Sequence, residues 1–523
     1  MKTSRPLAGL LLAAALGSAT VASAAPAAPG EAALNAAKHA ATAYRTDVVD
    51  LLAKLVSYNT VADDKVPCDK NPRHAEFKAF LKGEAERFGL DAADHGCVVV
   101  IGLGQGEERV GLVAHGDVQP VDPSKWKKSP FELDRTSEPG KLLARGAEDD
   151  KGPIATALYA MKSLKDLQLP LSKRIELYVY MAEESDWGPL EQFVKTHPLP
   201  QVNITLDAEY PAVTAEKGYG TLAVTLPKPA LPAEPGGPVI SQFGGGFFGS
   251  QIPEDAQATI ADATPALEAQ IRQRGAKQTG MRYGFEWKGQ DLVVTAKGVS
   301  AHSSKPEDGI NAISMLADAL AVHSWPDAGA GAAVNFLNEM VGTGYLGEKF
   351  GNIAYRDAFM GPMTFAPTVI RQHAAATAAT SGAPAGADAA AGGIEVAINI
   401  RRPQGKTAEQ LTNEINAALA QWQGAHGAPA NVSMEIGDPW VQKDAPQLPV
   451  LMSVFSYYTG IKEPKPVAVG GGTNSRLFPR AVSFGPSMPR TVYTGHSEHE
   501  FITVKQLLLN LEMYTAVMAE LAK

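Results

Sequence analysis

Only two of the 523 residues are cysteine, Cys68 and Cys97. Neither has a partner at metal-ligand spacing, so a thiolate metal site is excluded. Positive charge is also short. Lysine and arginine total 47 against 56 aspartates and glutamates, the net charge is −9, and no basic cluster occurs. Nucleic acid demands a basic surface, so it is excluded as a partner. Past the N-terminal segment no apolar run is long enough to span a bilayer. No unit repeats. The glycine turn Gly470-Gly471-Gly472-Thr473 lacks the Gly-Lys-Ser/Thr ending of a nucleotide phosphate loop; backbone lying close to a substrate at Gly471 is the expectation. Segment 373–393 has almost no large apolar side chains, cannot pack a core, and is expected to be a mobile loop.

What is present begins with a targeting pattern. Lys2 and Arg5 precede the apolar run Leu7 to Leu16, and Ala22-Ser23-Ala24 is a small-x-small cleavage site. This predicts a secretory signal peptide over 1–24, followed by a loose Ala/Pro-rich tether over 25–40. The expected location is outside the cytosol, in a bacterial periplasm, with no membrane attachment after cleavage. In an oxidising compartment Cys68 and Cys97 become a disulfide candidate. The remaining length exceeds one core, and at 45% hydrophobic the chain can build two or more domains.

The chemistry gathers around Arg145-Gly146-Ala147-Glu148-Asp149-Asp150-Lys151-Gly152-Pro153. Two carboxylates between glycines cannot lie inside a regular helix or strand. Pro153 suits the first residue of a helix, which the apolar run Ile154 to Leu164 supplies. Upstream, the strand-like Val110-Gly111-Leu112-Val113-Ala114 runs into His115-Gly116-Asp117. Downstream, Arg174 to Met181 ends in Ala182-Glu183-Glu184, and Val202 to Leu206 ends in Asp207. Open α/β sheets place their sites at such carboxyl ends. A histidine and several carboxylates meeting there make a metal site with mixed nitrogen and oxygen ligands. Each piece alone also reads as solvated surface or an ordinary strand end.

The set His115-x-Asp117, Asp149-Asp150-Lys151-Gly152, Glu183-Glu184, Asp207 and His496-x-x-x-Glu500 resembles the M20 di-zinc metallopeptidases. Gly298-Val299-Ser300-Ala301-His302 and Ile400-Arg401-Arg402-Pro403 resemble that family's lid. The long lid, Asp207-Ala208-Glu209-Tyr210-Pro211 and Glu216-Lys217-Gly218 are most similar to its PepV-like dipeptidase branch. The resemblance spans roughly 45–520 and implies an α/β catalytic domain, a mixed sheet with helices on both faces, carrying a large inserted α+β lid. The expected division is a first catalytic segment over 41–213, the lid over 214–437 and a second catalytic segment over 438–523. Expected lid elements include a helix over 254–274 and a strand over 291–297.

The resemblance also implies two divalent ions, zinc first, with manganese or cobalt as alternatives. Asp149 would bridge them, with His115 and Asp207 on one and Glu184 and His496 on the other. Asp117 would orient the His115 imidazole, and Glu183 would be the base acting on a metal-bridging water. His302 would stabilise the oxyanion. Arg401 would pair with the substrate's carboxylate, although Arg402 sits where tyrosine is usual and leaves the assignment between the two arginines open. Ser250 stands where the lid motif usually has asparagine, and His499 offers an alternative ligand to His496. The implied activity is a dipeptidase acting on small peptides with a free C-terminal carboxylate, as a monomer or homodimer. The alternatives are an N-acyl-amino-acid deacylase with the same chemistry, and a binding protein that kept the fold without turnover.

Overall fold

The computed structural model describes residues 28–227, 237–327, 329–373, 393–427, 429 and 431–523. The expected signal peptide, most of the proline-rich stretch 227–238 and most of 373–393 lie outside the described residues. Two large hydrophobic cores form, one under each of two sheets. No helix among the described residues is long and apolar enough to cross a membrane.

The first sheet is mixed and nine-stranded. Its central strand, Arg109–His115, runs parallel to Arg174–Tyr180 on one side and Val202–Thr205 on the other. All but the first residue of Arg109–His115 is buried, as a strand covered on both faces must be. Three parallel strands therefore end together at His115, Tyr180 and Thr205, just before or at the residues that carry chemistry. Gly116 allows His115 and Asp117 to sit side by side. A Cβ there would lie 2.5 Å from the Phe77 ring and 2.7 Å from Met181 Sδ. The helices Lys151–Asp166 and Val504–Ala522 pack against this strand and each other.

The second sheet has eight antiparallel strands, from Arg282–Lys288 at one edge to Asn431–Ile436 at the other. Its centre includes Gly393–Arg402, paired with Gly218–Pro227 and Thr364–His373. The chain enters this lid and leaves it at adjacent points. A Cβ on Gly218 would come 2.1 Å from the Gly437 carbonyl oxygen, so only glycine fits where the two crossings touch.

Several expectations need correction. Residues 31–40 are not a tether: Glu31–Ala43 is a helix whose Ala33, Ala36, Ala37 and Ala40 form one buried stripe against Val504–Ala522. Small side chains let the two helices approach closely, and alanine carries too weak a hydrophobic signal to be read as a core face. A separate helix, Asp47–Val56, follows Glu31–Ala43. The lid does not begin at 214, because Val213–Glu216 is a buried strand of the first sheet and the crossing comes at Lys217-Gly218. Within 254–274, Asp255–Ala261 is a strand with alternating burial. The helix starts only at Pro265, where the Thr264 side chain accepts the Leu267 N–H. Finally, Lys151 and Gly152 precede Pro153 in their helix, which starts earlier than expected.

Cys68 and Cys97 are joined, with Cα atoms 5.5 Å apart and a sequence separation of 29. Loop-closure entropy makes this bridge worth roughly 3–4 kcal/mol. Reduction should lower the denaturant midpoint of the catalytic domain, and Cys68→Ser should make it insensitive to reductant. Equal midpoints with and without reductant would show that the bridge contributes nothing.

Candidate metal centre

The strand ends, the loop 145–150 and the late turn 493–500 converge on one buried cluster. His115 Nε2 lies 2.8 Å from Asp149 Oδ1 and 3.8 Å from Asp207 Oδ2. His496 Nε2 lies 2.9 Å from Glu184 Oε1 and 3.3 Å from Asp149 Oδ2. The two oxygens of Asp149 thus face two different imidazoles. Donor atoms of His115, Asp149 and Glu184, and separately of His115, Glu183 and Asp207, lie within 4.8 Å of one another.

Both imidazoles have their other nitrogen occupied. His115 Nδ1 is 3.0 Å from the Asp117 carbonyl oxygen, and His496 Nδ1 is 3.4 Å from that of Ser250. Donation from each Nδ1–H leaves the Nε2 lone pairs facing the carboxylates, as metal ligands require. Burial, then the negative charge of Asp149, pushes Asp207 well above the usual carboxylate range. Burial, then Asp207, does the same to Glu183. Burial opposes the charge of Asp149 too, but without a cation, hydrogen bonds from Nε2 of protonated His115 and His496 hold it well below that range, and a divalent cation would take the place of those protons. Buried carboxylates in mutual repulsion beside two imidazole Nε2 atoms aimed at them fit divalent cations.

The supports have partners that the sequence did not point to. Glu500 accepts hydrogen bonds from the backbone N–H groups of Gly146, Glu148 and Asp149 and from Arg145, at 2.8–3.1 Å. It thereby pins the whole acidic loop. Asp117 accepts the N–H of Glu183 on one oxygen and of Glu184 on the other, both at 3.0 Å. Its main contact with His115 is through its backbone carbonyl; its carboxylate stands 3.5 Å from Nδ1. The Tyr493 hydroxyl donates to Asp149 Oδ2 at 2.6 Å. The His-x-x-x-Glu spacing is visible as a motif, but partners on unconnected loops give no local signal.

The lid completes the site from above. The His302 ring packs against that of His496, centroids 4.3 Å apart and planes tilted by 42°. Burial, then His496, lowers its pKa well below the usual value, so it is neutral. Its Nδ1 accepts the Ser304 N–H at 3.0 Å, which puts the proton on Nε2 and makes that atom a donor. Arg401 is buried and held by Asn399, Ser303 and the Gly470 carbonyl. No carboxylate pairs with it among the described residues. It lines a cavity of about 620 Å³ together with Glu183, Glu184, His302 and His496. Arg402 points elsewhere, to the carbonyls of Gly437 and Lys406 and to Asp438. Ser250 lines the same cavity, but it hydrogen-bonds Ser303 and His496 through its carbonyl oxygen and not through its hydroxyl. Gly471 lies beside His302; a Cβ there would be 3.9 Å from the ring. His499 faces away, 3.0 Å from Glu138 at the surface, and is remote from the cluster.

Beta-Ala-Xaa dipeptidase of Lactobacillus delbrueckii subsp. lactis is 28% identical over 498 residues, covering 93% of this chain and 98% of that protein. Among solved structures, human carnosine dipeptidase 1 aligns with a TM-score of 0.56 at 14% identity, over 94% of this chain and 99% of that one. The dipeptidase Dug1p from Saccharomyces cerevisiae aligns at 0.57 with the same identity and coverage. At that identity the two structures establish a shared fold. Residues 111–520 match the description Peptidase family M20/M25/M40, a match that takes in every residue of the buried cluster. The chain therefore belongs to this family of metal-dependent hydrolases, and the α/β catalytic domain with its inserted lid is the family's fold.

Proposed function

We propose that this chain is a dipeptidase that hydrolyses short peptides bearing a free C-terminal carboxylate. The observation that carries the reading is Arg401, a buried guanidinium with no carboxylate partner among the described residues, lining a cavity that reaches the buried cluster. His115, Asp149 and Asp207 would hold one divalent cation, and Asp149, Glu184 and His496 a second. Mixed nitrogen and oxygen donors suit zinc, and also manganese or cobalt. When bound, such ions polarise the peptide carbonyl and lower the pKa of water.

The protein's own groups do the rest. Glu183 accepts the proton of the attacking water and returns it to the leaving amine. His302 donates Nε2–H to the oxygen that becomes negative as the carbonyl is attacked. Arg401 holds the far carboxylate through its planar fork and sets the substrate's register. One chain supplies both His302 and the cluster beneath it, which supports activity in a monomer. The Cys68–Cys97 bridge and the N-terminal targeting pattern support a secreted, periplasmic protein.

A panel of a dipeptide, its C-terminal amide, a pentapeptide and an N-acylated amino acid tests the reading. A charge-assisted hydrogen bond is worth about 1.5–3 kcal/mol. Amidation should therefore lower kcat/KM by at least about tenfold. Arg401→Ala should erase most of that preference. Arg402→Ala should leave it and instead weaken the lid crossing that Arg402 braces. Equal cleavage of dipeptide, amide and pentapeptide would sink the reading. Cleavage of the acylated amino acid alone would make the protein a deacylase.

A further inference from the structure

Two cavities meet at the metal centre. Both are lined by Glu183, Glu184, His302 and His496. The one containing Arg401 measures about 620 Å³, the other about 80 Å³. A substrate whose carboxylate is held by Arg401, with its scissile bond at the shared groups, must place its first residue in the smaller cavity. One water takes about 10–15 Å³ on this scale, so the smaller cavity has room for about five to eight water-sized groups, and the two cations would take part of that room.

Five carboxylates line that smaller cavity: Asp149, Glu183, Glu184, Asp207 and Glu209. The first four are committed to the metals and to the base. Glu209 has no such duty. It follows Asp207 on the strand Ala208–Glu209, which runs parallel to Pro486–Ser487. Backbone bonds from Ala208 to the Gly485 carbonyl and from Tyr210 to the Ser487 carbonyl hold it on both sides. Its position is therefore set by the sheet edge and not by a loose loop. One oxygen, Oε2, accepts Lys305 Nζ from the lid at 2.8 Å. The other, Oε1, accepts no hydrogen bond among the described residues. A carboxylate has acceptor capacity for more than one donor.

We infer that the smaller cavity is the subsite for the first residue, that it takes a small side chain, and that Glu209 binds that residue's free ammonium. Lys305 engages one oxygen and leaves the other for the substrate. The enzyme would then read both ends of its substrate, carboxylate at Arg401 and ammonium at Glu209, which limits it to dipeptides with a small first residue. This inference rests on the dipeptidase reading above.

The test compares three substrates of the metal-loaded enzyme: Ala-Phe, propionyl-Phe, which lacks only the amine, and Trp-Phe. The loss of one charge-assisted hydrogen bond predicts that the wild type favours Ala-Phe over propionyl-Phe by about 10- to 100-fold in kcat/KM. Ala-Phe should also exceed Trp-Phe by at least about tenfold. Glu209→Gln should collapse the amine preference to within about threefold. Lys305→Met should keep it. The same contrast is readable without turnover, as dipeptide and propionyl-Phe affinities by calorimetry in a Glu183→Gln background. If Glu209→Gln slows both substrates equally and keeps the ratio, Glu209 only latches the lid and the inference is overturned. A wild type that cleaves Trp-Phe as well as Ala-Phe overturns the size limit. A wild type that prefers propionyl-Phe is a deacylase, and then the parent reading falls as well.

Discussion

Glu183→Gln is expected to keep the metal content of the wild type and to lose turnover by about 100- to 10,000-fold, the usual contribution of a general base. The substitution preserves size and removes only the proton acceptor. The surroundings favour an intact site. The Glu183 N–H is held by Asp117, and its carbonyl accepts Trp187 Nε1 at 2.6 Å, so the backbone does not depend on the carboxylate. Among the described residues the side chain accepts only a long hydrogen bond from Asn474, at 3.5 Å. Metal analysis beside steady-state kinetics decides the matter. The carboxylate of Glu183 also lies within ligand distance of His115 and Asp207. Loss of metal together with activity would therefore make Glu183 a ligand and require another base.

His302→Ala should lower kcat by about 100- to 1000-fold, the typical cost of one oxyanion donor, with metal content unchanged. The physical ground is the tautomer. Because Nδ1 accepts from Ser304, the neutral ring has its proton on Nε2, available to a developing negative charge. A histidine with its proton on Nδ1 could not serve. His302 is not among the groups that could hold the metal, so the loss should appear in turnover and not in metal content. An unchanged kcat would remove His302 from the chemistry. Mixing His302→Ala with Glu183→Gln should restore nothing, since each chain supplies both groups. Recovery on mixing would mean that the histidine acts across a dimer.

The metal cluster is legible in the chain because it rests on short-range rules. Apolar runs at 110–114, 174–181 and 202–206 end in His115, Glu183-Glu184 and Asp207, and parallel strands deliver such ends to one edge. The helix Ala408–His426 is equally readable, with Leu411, Ile415, Ala418 and Leu419 on its buried side. The first helix escapes such reading because its buried face is alanine alone. The strand Asp255–Ala261 escapes it because a period of two over so few residues is lost in the longer polar run after it.

By itself, then, the sequence determined the family, the donor types and their order along the chain. Those follow from residue identity and from neighbours on one strand or turn. Only the tertiary structure decided which arginine faces the cavity, since Arg401 and Arg402 alternate across one strand and their faces are defined by what packs on each. It alone decided the tautomer of His302, the pinning of Asp149 by Glu500, the double duty of Asp117 and the unequal sizes of the two cavities. Each of these is a contact between segments far apart in the chain. Its geometry depends on how two domains close on each other, which no local pattern of residues records.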